Sequence, residues 1–388
     1  MGYKILLIHT RYILSGGEDR VFENETKLLQ FNGHETDTLT FNNSYFSSLK
    51  FFLFPFNLWS FVKVYLKIKK FKPEIVHIHN FFFAASPSIF YAIKACKIPI
   101  VVTSHNFRFI CPSAVLSLKG KLYTVSLNKS FPWAAIKDKS YRGSFAASLW
   151  VSSIYWLHNK IGTWKLIDTL IIPNPYALKL YKEQANLLLT GNLVCKPNFI
   201  DDPGINVLKR NNDFVYIGRL SEEKGIRMML SAFSKSEHSF HIYGEGPMLD
   251  EVLIACNQNS NIHYWGVKQK NEIFEILRNC AAMILPSGCM EMASLILIET
   301  LACSTPVIVS EIPTFMEYIV PFQTGLLFKK ENEYSLIETI NIFSQLSQDE
   351  KQIMGENCRR LYVKNFTAEN TYRILCNIYE ESIRKLKK

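Results

Sequence analysis

The sequence predicts an α/β protein made of two doubly wound domains, each built around a parallel sheet. Short apolar runs rich in β-branched residues alternate with longer amphipathic segments along most of the 388 residues. This alternation is typical of parallel strands covered by helices. It is interrupted by the polar stretch 196–212, which carries two prolines, two aspartates and a glycine, and it then resumes. A chain of this length can bury two hydrophobic cores.

The first half of the chain shows the pattern of one such domain. Apolar runs predict strands at residues 3–9, 35–41, 74–80, 99–103 and 168–173. Amphipathic segments predict helices at residues 18–31, 57–71, 84–96 and 176–185. Residues 107–165 mix basic with aromatic side chains without a clear period, so no element is assigned there.

The second half repeats the alternation. We expect strands at residues 214–218, 240–243, 262–265, 281–285, 306–309 and 326–328, with helices at 224–234, 247–257, 270–279 and 294–303. Three further helices are expected near 333–346, 348–362 and 367–387. The predicted domains are therefore residues 1–197 and 198–365, followed by a final helical segment at 366–388.

The charge is unevenly distributed between the halves. Residues 1–200 hold 24 Lys and Arg against 10 Asp and Glu, whereas residues 201–388 hold 20 against 24. A basic half joined to a mildly acidic half predicts that the first domain meets an anionic surface. No recognised nucleic-acid-binding module is present, so we expect no nucleic acid partner.

An anionic membrane fits this surface better. Residues 51–62 are strongly apolar and aromatic but too short to span a bilayer, and the helix expected at 57–71 carries recurring lysines. This helix either rests in the lipid interface or faces the protein core with a solvated basic side, and both interpretations stay open. The Trp and Tyr residues among the basic residues of 107–165 also suit headgroup depth.

The cysteines indicate a reducing compartment. All nine are scattered, and none forms a C-x-x-C pair, so neither a disulfide framework nor a zinc site is expected. The chain enters its first predicted strand directly, without a cleavable signal sequence. We expect a cytoplasmic protein associated peripherally with the inner face of the cell membrane.

The stretch 285–310 organises the predicted site. A buried strand ends at Pro286-Ser287-Gly288, Glu291 follows in the loop, and Glu299 lies in the helix behind it. Ligands of parallel sheets bind beyond the carboxyl ends of the strands, against helix N-termini. Two carboxylates so placed can hold two parts of one polyol. Taken alone, Glu299 is equally a carboxylate on a helix surface, but its apolar neighbours favour burial with a partner.

Other strand ends carry cations and glycines. Arg219 and Lys224 follow Gly218 at the first strand–helix turn of the second domain, where two cations suit a diphosphate leaving group. Glycine turns follow at Gly16-Gly17 and at 244–247. Taken singly, these are also ordinary tight turns and solvated surface charges. The chain has neither the G-x-G-x-x-G pattern of nicotinamide enzymes nor a metal-chelating D-x-D.

Histidines mark the strand ends of the first domain. His105, with Asn106, ends the strand expected at 99–103 and points toward the crevice, unless it only satisfies a polar rim. His77 and His79 alternate within one strand and cannot bind a metal together without a third ligand.

Together, these motifs resemble the family-4 retaining glycosyltransferases of GT-B fold, over nearly the full length of the chain. The motifs that carry the resemblance are Gly16-Gly17-Glu18, His77-Ile78-His79-Asn80, Thr103-Ser104-His105-Asn106, Gly218-Arg219-Leu220 with Lys224-Gly225, Tyr243-Gly244-Glu245-Gly246-Pro247, and Glu291 with Glu299 before Ala302-Cys303-Ser304-Thr305-Pro306. The resemblance implies two Rossmann-like domains that face each other across a cleft, with the C-terminal helix crossing back to the first.

The resemblance also implies roles for individual residues. Arg219 and Lys224 would stabilise the departing donor diphosphate, Glu299 would bind the ribose and Glu291 the transferred sugar. His105 would meet sugar hydroxyls. The implied catalytic set is Glu291, His105, Arg219 and Lys224; the donor-binding set adds Gly16, Gly17, Gly218, Gly244, Gly246, Pro247, Leu295 and Glu299; the acceptor-side set is Asn80, His105, Asn106 and Arg108. No cofactor or metal is implied.

The expected function is transfer of a sugar, from a UDP-sugar or less readily a GDP-sugar, to a lipid-linked, polyprenyl-diphosphate glycan in bacterial capsule, O-antigen or exopolysaccharide assembly. A glycolipid or lipopolysaccharide-core transferase is the alternative within the class. Ala293, Ser294 and Ser304 depart from the family pattern. A Cβ in these turns is expected to crowd the sugar or alter donor choice. Ser294 and Ser304 support the other alternative, a catalytically weakened homologue that binds a sugar nucleotide or a partner.

Overall fold

The computed structural model describes residues 2–12, 16–43, 47–118, 120–184, 187, 189–205 and 210–386. The chain forms two compact units. The first unit comprises Met1–Ala114, Val125–Asn198 and Ala368–Lys388, and the second comprises Val115–Thr124 and Phe199–Thr367. Residues 185 and 387, the last residues of two expected helices, lie outside the described residues.

The described part of the chain alternates strands and helices. The strands are β1 (Lys4–Arg11), β2 (Glu35–Asn42), β3 (Ile75–Ile78), β4 (Ile100–Thr103), β5 (Ser117–Leu118), β6 (Lys121–Leu122), β7 (Thr169–Ile172), β8 (Asn192–Cys195), β9 (Phe214–Ile217), β10 (Phe240–Tyr243), β11 (Ile262–Tyr264), β12 (Ala282–Leu285), β13 (Val307–Ser310) and β14 (Gly325–Phe328). The α-helices are α1 (Gly17–Phe31), α2 (Ser47–Phe52), α3 (Leu58–Phe71), α4 (Ser88–Ala95), α5 (Trp133–Lys137), α6 (Phe145–Lys160), α7 (Pro175–Lys182), α8 (Ile226–Ser234), α9 (Leu249–Gln258), α10 (Lys270–Asn279), α11 (Leu295–Ala302), α12 (Pro313–Met316), α13 (Glu333–Gln345), α14 (Gln348–Asn365) and α15 (Ala368–Leu386).

The first unit contains a six-stranded parallel sheet in the order β2-β1-β3-β4-β7-β8. Its inner strands β3, β4 and β7 are buried along their whole length, which explains why they appear as continuous apolar runs in the sequence. Strand β8 was not expected, because it is a short edge strand whose residues are only half-buried. Helix α4 begins at Ser88, later than predicted, because Ser86 adopts a left-handed conformation and Pro87 precedes the helix.

The second unit contains a six-stranded parallel sheet in the order β11-β10-β9-β12-β13-β14. This is the doubly wound order, in which the direction of winding reverses between β9 and β12. In the first sheet the reversal falls between β1 and β3. Ligands of such sheets bind beyond the carboxyl ends of the strands at the reversal point. Both units therefore have one preferred place for a site.

A buried ion pair lies at the centre of the first unit. Lys196 donates to Glu25 of α1, and both side chains are fully buried. His77 of β3 lies beside Glu25 and bonds the Thr103 hydroxyl through Nε2, at 2.8 Å. Its Nδ1 bonds the Tyr379 hydroxyl of α15 at 2.7 Å. Because a buried charge without a partner costs several kcal/mol, this network requires α1, β3 and α15 to assemble together.

The hairpin β5–β6 belongs to the second unit, although residues on both sides of it belong to the first. A Cβ on Gly288 would lie 2.3 Å from the Gly120 carbonyl oxygen, so the hairpin packs directly on the loop after β12. This crossing was not expected from the sequence, because it depends on a long-range backbone contact rather than on a local pattern.

None of the helices in the described part of the chain combines the length and the apolar character needed to span a bilayer.

Candidate active site

Backbone contacts bring the loops at the reversal point of the second sheet together. A Cβ on Gly225 would lie 2.0 Å from the Pro286 carbonyl oxygen, and Gly225 adopts φ +75°. The amide of Gly288 donates to the carbonyl of Glu223 at 2.8 Å. The turn after β9 therefore lies against the loop after β12, at a distance that only glycine allows.

This contact joins Lys224 to Glu291. The Lys224 ammonium lies 2.8 Å from Glu291 Oε1, and the Ser287 hydroxyl donates to the same carboxylate. Burial opposes ionisation of Glu291, but Lys224 outweighs it and holds the pKa of the carboxyl below its ordinary value. Burial also lowers the pKa of Lys224, but Glu291 raises it above the ordinary value. The pair is therefore ionised, with a cation and a carboxylate ready at the reversal point.

The other predicted donor residues of this unit surround the pair at the strand ends. Arg219 is exposed in the turn after β9. Leu295 is the first residue of α11, and Glu299 is its fifth residue and is buried. Pro247 is exposed before α9. A buried carboxylate in α11 agrees with the interpretation that Glu299 is not a plain surface residue.

Loop packing explains three of the predicted donor-binding glycines. A Cβ on Gly244 would lie 1.9 Å from the Gly218 carbonyl oxygen, and φ there is +133°. A Cβ on Gly246 would lie 2.3 Å from the carbonyl oxygen of Leu220. A Cβ on Gly218 would lie 3.0 Å from the Tyr216 hydroxyl. This hydroxyl donates a hydrogen bond to the Arg219 carbonyl. Tyr216 thus fixes the turn that carries Arg219, a role that its place in a buried strand did not reveal.

Ser294 and Ser304 lie at opposite ends of α11. Ser304 follows the C-terminus of this helix, which is about 12 Å long, whereas Ser294 precedes its N-terminus. Ser304 adopts φ +58°, and its carbonyl accepts from Arg210 at 2.7 Å. A glycine would suit this left-handed position, but the residue belongs to a helix end remote from Glu291. Ser294, by contrast, hydrogen-bonds the Glu291 side chain.

In the first unit, Gly16 and Gly17 lie at the start of α1. Gly16 is the N-cap in an extended conformation, and its amide donates to Asp19 at 2.8 Å. Gly17 is exposed as the first helical residue. The other carboxylate oxygen of Asp19 bonds His9 of β1 at 2.9 Å. Asp19 was not predicted as a site residue, yet it fixes the turn that carries both glycines.

Asn80 joins this turn to the end of β3. Its side-chain amide donates to the Thr10 carbonyl at 3.0 Å and to Glu18 at 2.9 Å. Burial, together with the neighbouring Asp19 carboxylate, raises the pKa of Glu18 to about 8. Glu18 is therefore largely protonated at neutral pH. The sequence showed Glu18 next to the glycine pair but gave no sign of its burial.

His105 follows β4 and lies next to the same group. Its Nε2 lies 3.2 Å from His79 Nδ1. Burial and nearby cationic groups lower the pKa of His105 to about 3, so its imidazole is neutral and acts as a hydrogen-bonding group rather than as a cation. The side-chain oxygen of Asn106 accepts a hydrogen bond from the backbone amide of Arg108. The predicted acceptor-side residues are thus brought together at the ends of β3 and β4.

Glu25 is the third ligand that His77 and His79 needed for a metal, since ligand atoms of the three residues lie within 4.8 Å of one another. Both His77 nitrogens already have partners, however, and Lys196 pairs with Glu25. A divalent ion would have to share this carboxylate with a buried ammonium. The geometry therefore fits a structural ion-pair network better than a metal centre.

Comparison with known families agrees with two doubly wound units. Residues 15–147 match the model described as Glycosyltransferase Family 4, and residues 199–361 match the model described as Glycosyl transferases group 1. Together the two models cover about three quarters of the chain. The chain belongs to the family-4 type glycosyltransferases of GT-B fold.

Curated relatives are distant. The chain is 26% identical to the alpha-monoglucosyldiacylglycerol synthase of Acholeplasma laidlawii over 81% of each chain. It is 26% identical to an uncharacterized glycosyltransferase of Methanocaldococcus jannaschii over 46% of this chain and 52% of that protein. It is 25% identical to the O-antigen chain mannosyltransferase C of Escherichia coli over 44% of this chain and 46% of that protein. The chain thus spans about half the length of the last two relatives.

Solved structures share the fold. A glycosyltransferase from Rickettsia africae superposes with a TM-score of 0.71 at 18% identity, over 98% of this chain and 99% of that one. The Anabaena protein HepE, solved in complex with UDP, superposes with a TM-score of 0.67 at 14% identity, over 97% of this chain and all of that one.

Substitutions of Gly16 and Gly244 test whether these glycines are needed for folding or for ligand access. Gly244→Ala is expected to lower the free energy of unfolding by about 2–4 kcal/mol, because the new Cβ meets a backbone oxygen in a left-handed conformation. Gly16→Ala is expected to lower it by about 1 kcal/mol or less, since no described atom lies within 4 Å and only the N-cap preference is lost. Urea unfolding of both variants measures the difference. Equal destabilisation would contradict it.

Glu18 is expected to make stability depend on pH. A carboxyl whose folded-state pKa is raised from 4.5 to about 8 favours folding at low pH, and this contribution is lost as pH rises through that range. Between pH 5 and pH 8, the wild type should lose roughly 1–3 kcal/mol of unfolding free energy relative to Glu18→Gln. Glu23→Gln, an exposed position on the same helix, is the control. Parallel stability curves for wild type and Glu18→Gln would refute the assignment.

Proposed function

We propose that this glycosyltransferase is a retaining, metal-independent enzyme that moves a sugar from a nucleotide-sugar, with UDP-sugars favoured, to a lipid-linked acceptor of bacterial surface polysaccharide synthesis. The observation that carries the proposal is the ionised pair of Lys224 and Glu291 at the reversal point of the second sheet. Arg219 lies on the same turn and Glu299 in the helix that follows.

Each residue of this site has a place in the reaction. Lys224 and Arg219 bind the donor diphosphate and stabilise the charge that develops as it leaves. Glu299 accepts from the ribose hydroxyls and Glu291 from the hydroxyls of the transferred sugar. Because Lys224 already neutralises Glu291, a bound diphosphate competes for the ammonium and frees carboxylate oxygens for the sugar. Catalysis then depends on positioning and charge stabilisation.

Three similar proteins support the proposed donor and acceptor. HepE, of the same fold, was solved with UDP. The Acholeplasma relative is named for a product built on diacylglycerol, and the Escherichia coli relative for the O-antigen chain. These names favour a UDP-sugar as donor and a lipid-linked molecule as acceptor. Because the Acholeplasma relative makes a glycolipid, the glycolipid acceptor remains an alternative within the proposal.

The first unit provides a surface for the membrane. Helix α3 buries Ser60, Val64 and Ile68, whereas its side chains Leu58, Trp59 and Leu66 are 65, 64 and 60% exposed. The apolar positions 58, 62 and 66 therefore form a stripe outside the core, next to lysines, which favours the interfacial interpretation of this helix. Exposed Phe52 and Phe56 continue it in and after α2. We propose that this face associates peripherally with anionic lipid on the cytoplasmic side.

The donor site is tested by thermal unfolding with nucleotides. A UDP-sugar at about one hundred times its Kd should raise the Tm by roughly 5–10 °C. The shift should be lost in Glu299→Gln and kept in Glu338→Gln, an exposed glutamate of α13. If no nucleotide or nucleotide-sugar shifts the wild type at millimolar concentration, a partner-binding homologue becomes the better interpretation. The anomeric configuration of the product, read by NMR, and activity in EDTA test retention and metal independence.

The membrane face is tested by vesicle flotation. Wild type should float with phosphatidylglycerol vesicles more than with phosphatidylcholine vesicles, and the double variant Trp59→Ser, Leu66→Ser should lose most of this binding. The matched control is Ile254→Ser, Ile353→Ser, which removes two equally exposed apolar side chains of the second unit. Equal flotation with both lipids, or equal loss in both double variants, would rule out this surface.

A further inference from the structure

The first unit contains a pocket that extends beyond the predicted acceptor-side residue Arg108. It lies between the loop after β4, residues 126–132 and α6, and it is open to solvent on one side. Arg108 and Lys129 contribute its charged side chains, and Ser152, Tyr155 and Trp156 of α6 line one wall. No carboxylate is found among the described residues that line it. The pocket therefore favours an anion.

The charge of Arg108 is not neutralised by an ion pair within the described part of the chain. Its guanidinium lies 3.6 Å from the ring centre of Phe82 and 5.6 Å from that of Tyr141. Two of its nitrogens, Nε and Nη1, are buried without a hydrogen-bond partner. Glu18 is the nearby acid, and it is largely protonated at neutral pH. A buried cation without an ionised partner and with unsatisfied donors is stabilised by an anionic ligand.

The Ser152 hydroxyl is a second unsatisfied group of the pocket wall. Its residue is 3% exposed, and the oxygen has no hydrogen-bond partner. Buried hydroxyls are usually bonded, because leaving one unpaired costs about 1–3 kcal/mol. An unpaired donor in a pocket that also contains two cations suits a phosphate oxygen as acceptor.

The outer part of the pocket adjoins an apolar surface. Trp156 lines the pocket and is 39% exposed, and Phe145, Leu157 and Ile161 in or just after the same helix are also exposed. The ring of Trp150 in α6 lies 6.2 Å from that of Phe52 in α2. Helix α6 therefore carries exposed apolar side chains next to the pocket, and it contacts α2, which belongs to the face proposed for membrane association.

We propose that this pocket binds the diphosphate of a prenyl-diphosphate-linked acceptor, with Arg108, Lys129 and Ser152 as its ligands and the exposed apolar side chains of α6 along its prenyl chain. The assignment rests on the proposed function, of which it specifies the acceptor. It selects the prenyl-diphosphate glycan over the diacylglycerol glycolipid, because a diacylglycerol carries no anion for the two cations.

Calorimetry with farnesyl diphosphate, farnesol and inorganic diphosphate tests the pocket directly. Farnesyl diphosphate should bind at least tenfold more tightly than either half of the molecule. Ser152→Ala and Lys129→Gln should each weaken it about tenfold, as expected for one lost bond to a charged group. Ser152→Ala should leave the Tm unchanged, because the hydroxyl has no partner in the free protein. Lys137→Gln, an exposed lysine outside the pocket, is the control.

Steady-state kinetics separates this proposal from the proposed function. With a prenyl-diphosphate-linked acceptor, Ser152→Ala and Lys129→Gln should raise the acceptor KM about tenfold and leave the donor KM unchanged. Transfer with an unchanged acceptor KM would overturn the pocket and keep the function. Binding of phosphatidylglycerol vesicles with the same dependence on Lys129 and Ser152 would reassign the pocket to a lipid headgroup and overturn the proposal. A missing UDP shift with intact farnesyl diphosphate binding would refute the donor site alone.

Discussion

The candidate donor site depends on backbone contacts that only glycine permits. Gly244 lies against Gly218, and Gly225 lies against Pro286, so the turns after β9 and β10 and the loop after β12 lie against one another. This packing places the Lys224 ammonium 2.8 Å from Glu291 Oε1. The glycines of these turns therefore act first on the geometry of the protein, and through that geometry on any ligand.

The first unit has a buried polar centre. Lys196 and Glu25 are fully buried and paired, and His77 bonds both Thr103 and Tyr379. Because removal of one partner would leave a buried charge, the network fixes the position of α15 in this unit. Burial keeps the pKa of His77 and His79 well below the ordinary value, so both are neutral and connect the centre to His105.

Local patterns predicted the fold because buried parallel strands leave continuous apolar runs. The same patterns missed β8, which is a half-buried edge strand, and the hairpin at 115–124, which is fixed by a distant loop. For the site, strand ends located Lys224 and Glu291 correctly at one reversal point. The sequence did not show that the pKa of Glu18 is raised, because that depends on tertiary packing.

Lys224 in the second unit and Arg108 in the first differ in how their charge is compensated. In the second unit, Lys224 is neutralised by Glu291 before any ligand arrives. In the first, Arg108 lies between aromatic rings beside a glutamate that is largely protonated at neutral pH. A paired cation can bind a ligand and then return to its carboxylate partner, which suits a diphosphate that leaves. An unpaired cation favours a ligand that stays bound during the reaction, as the diphosphate of an acceptor does.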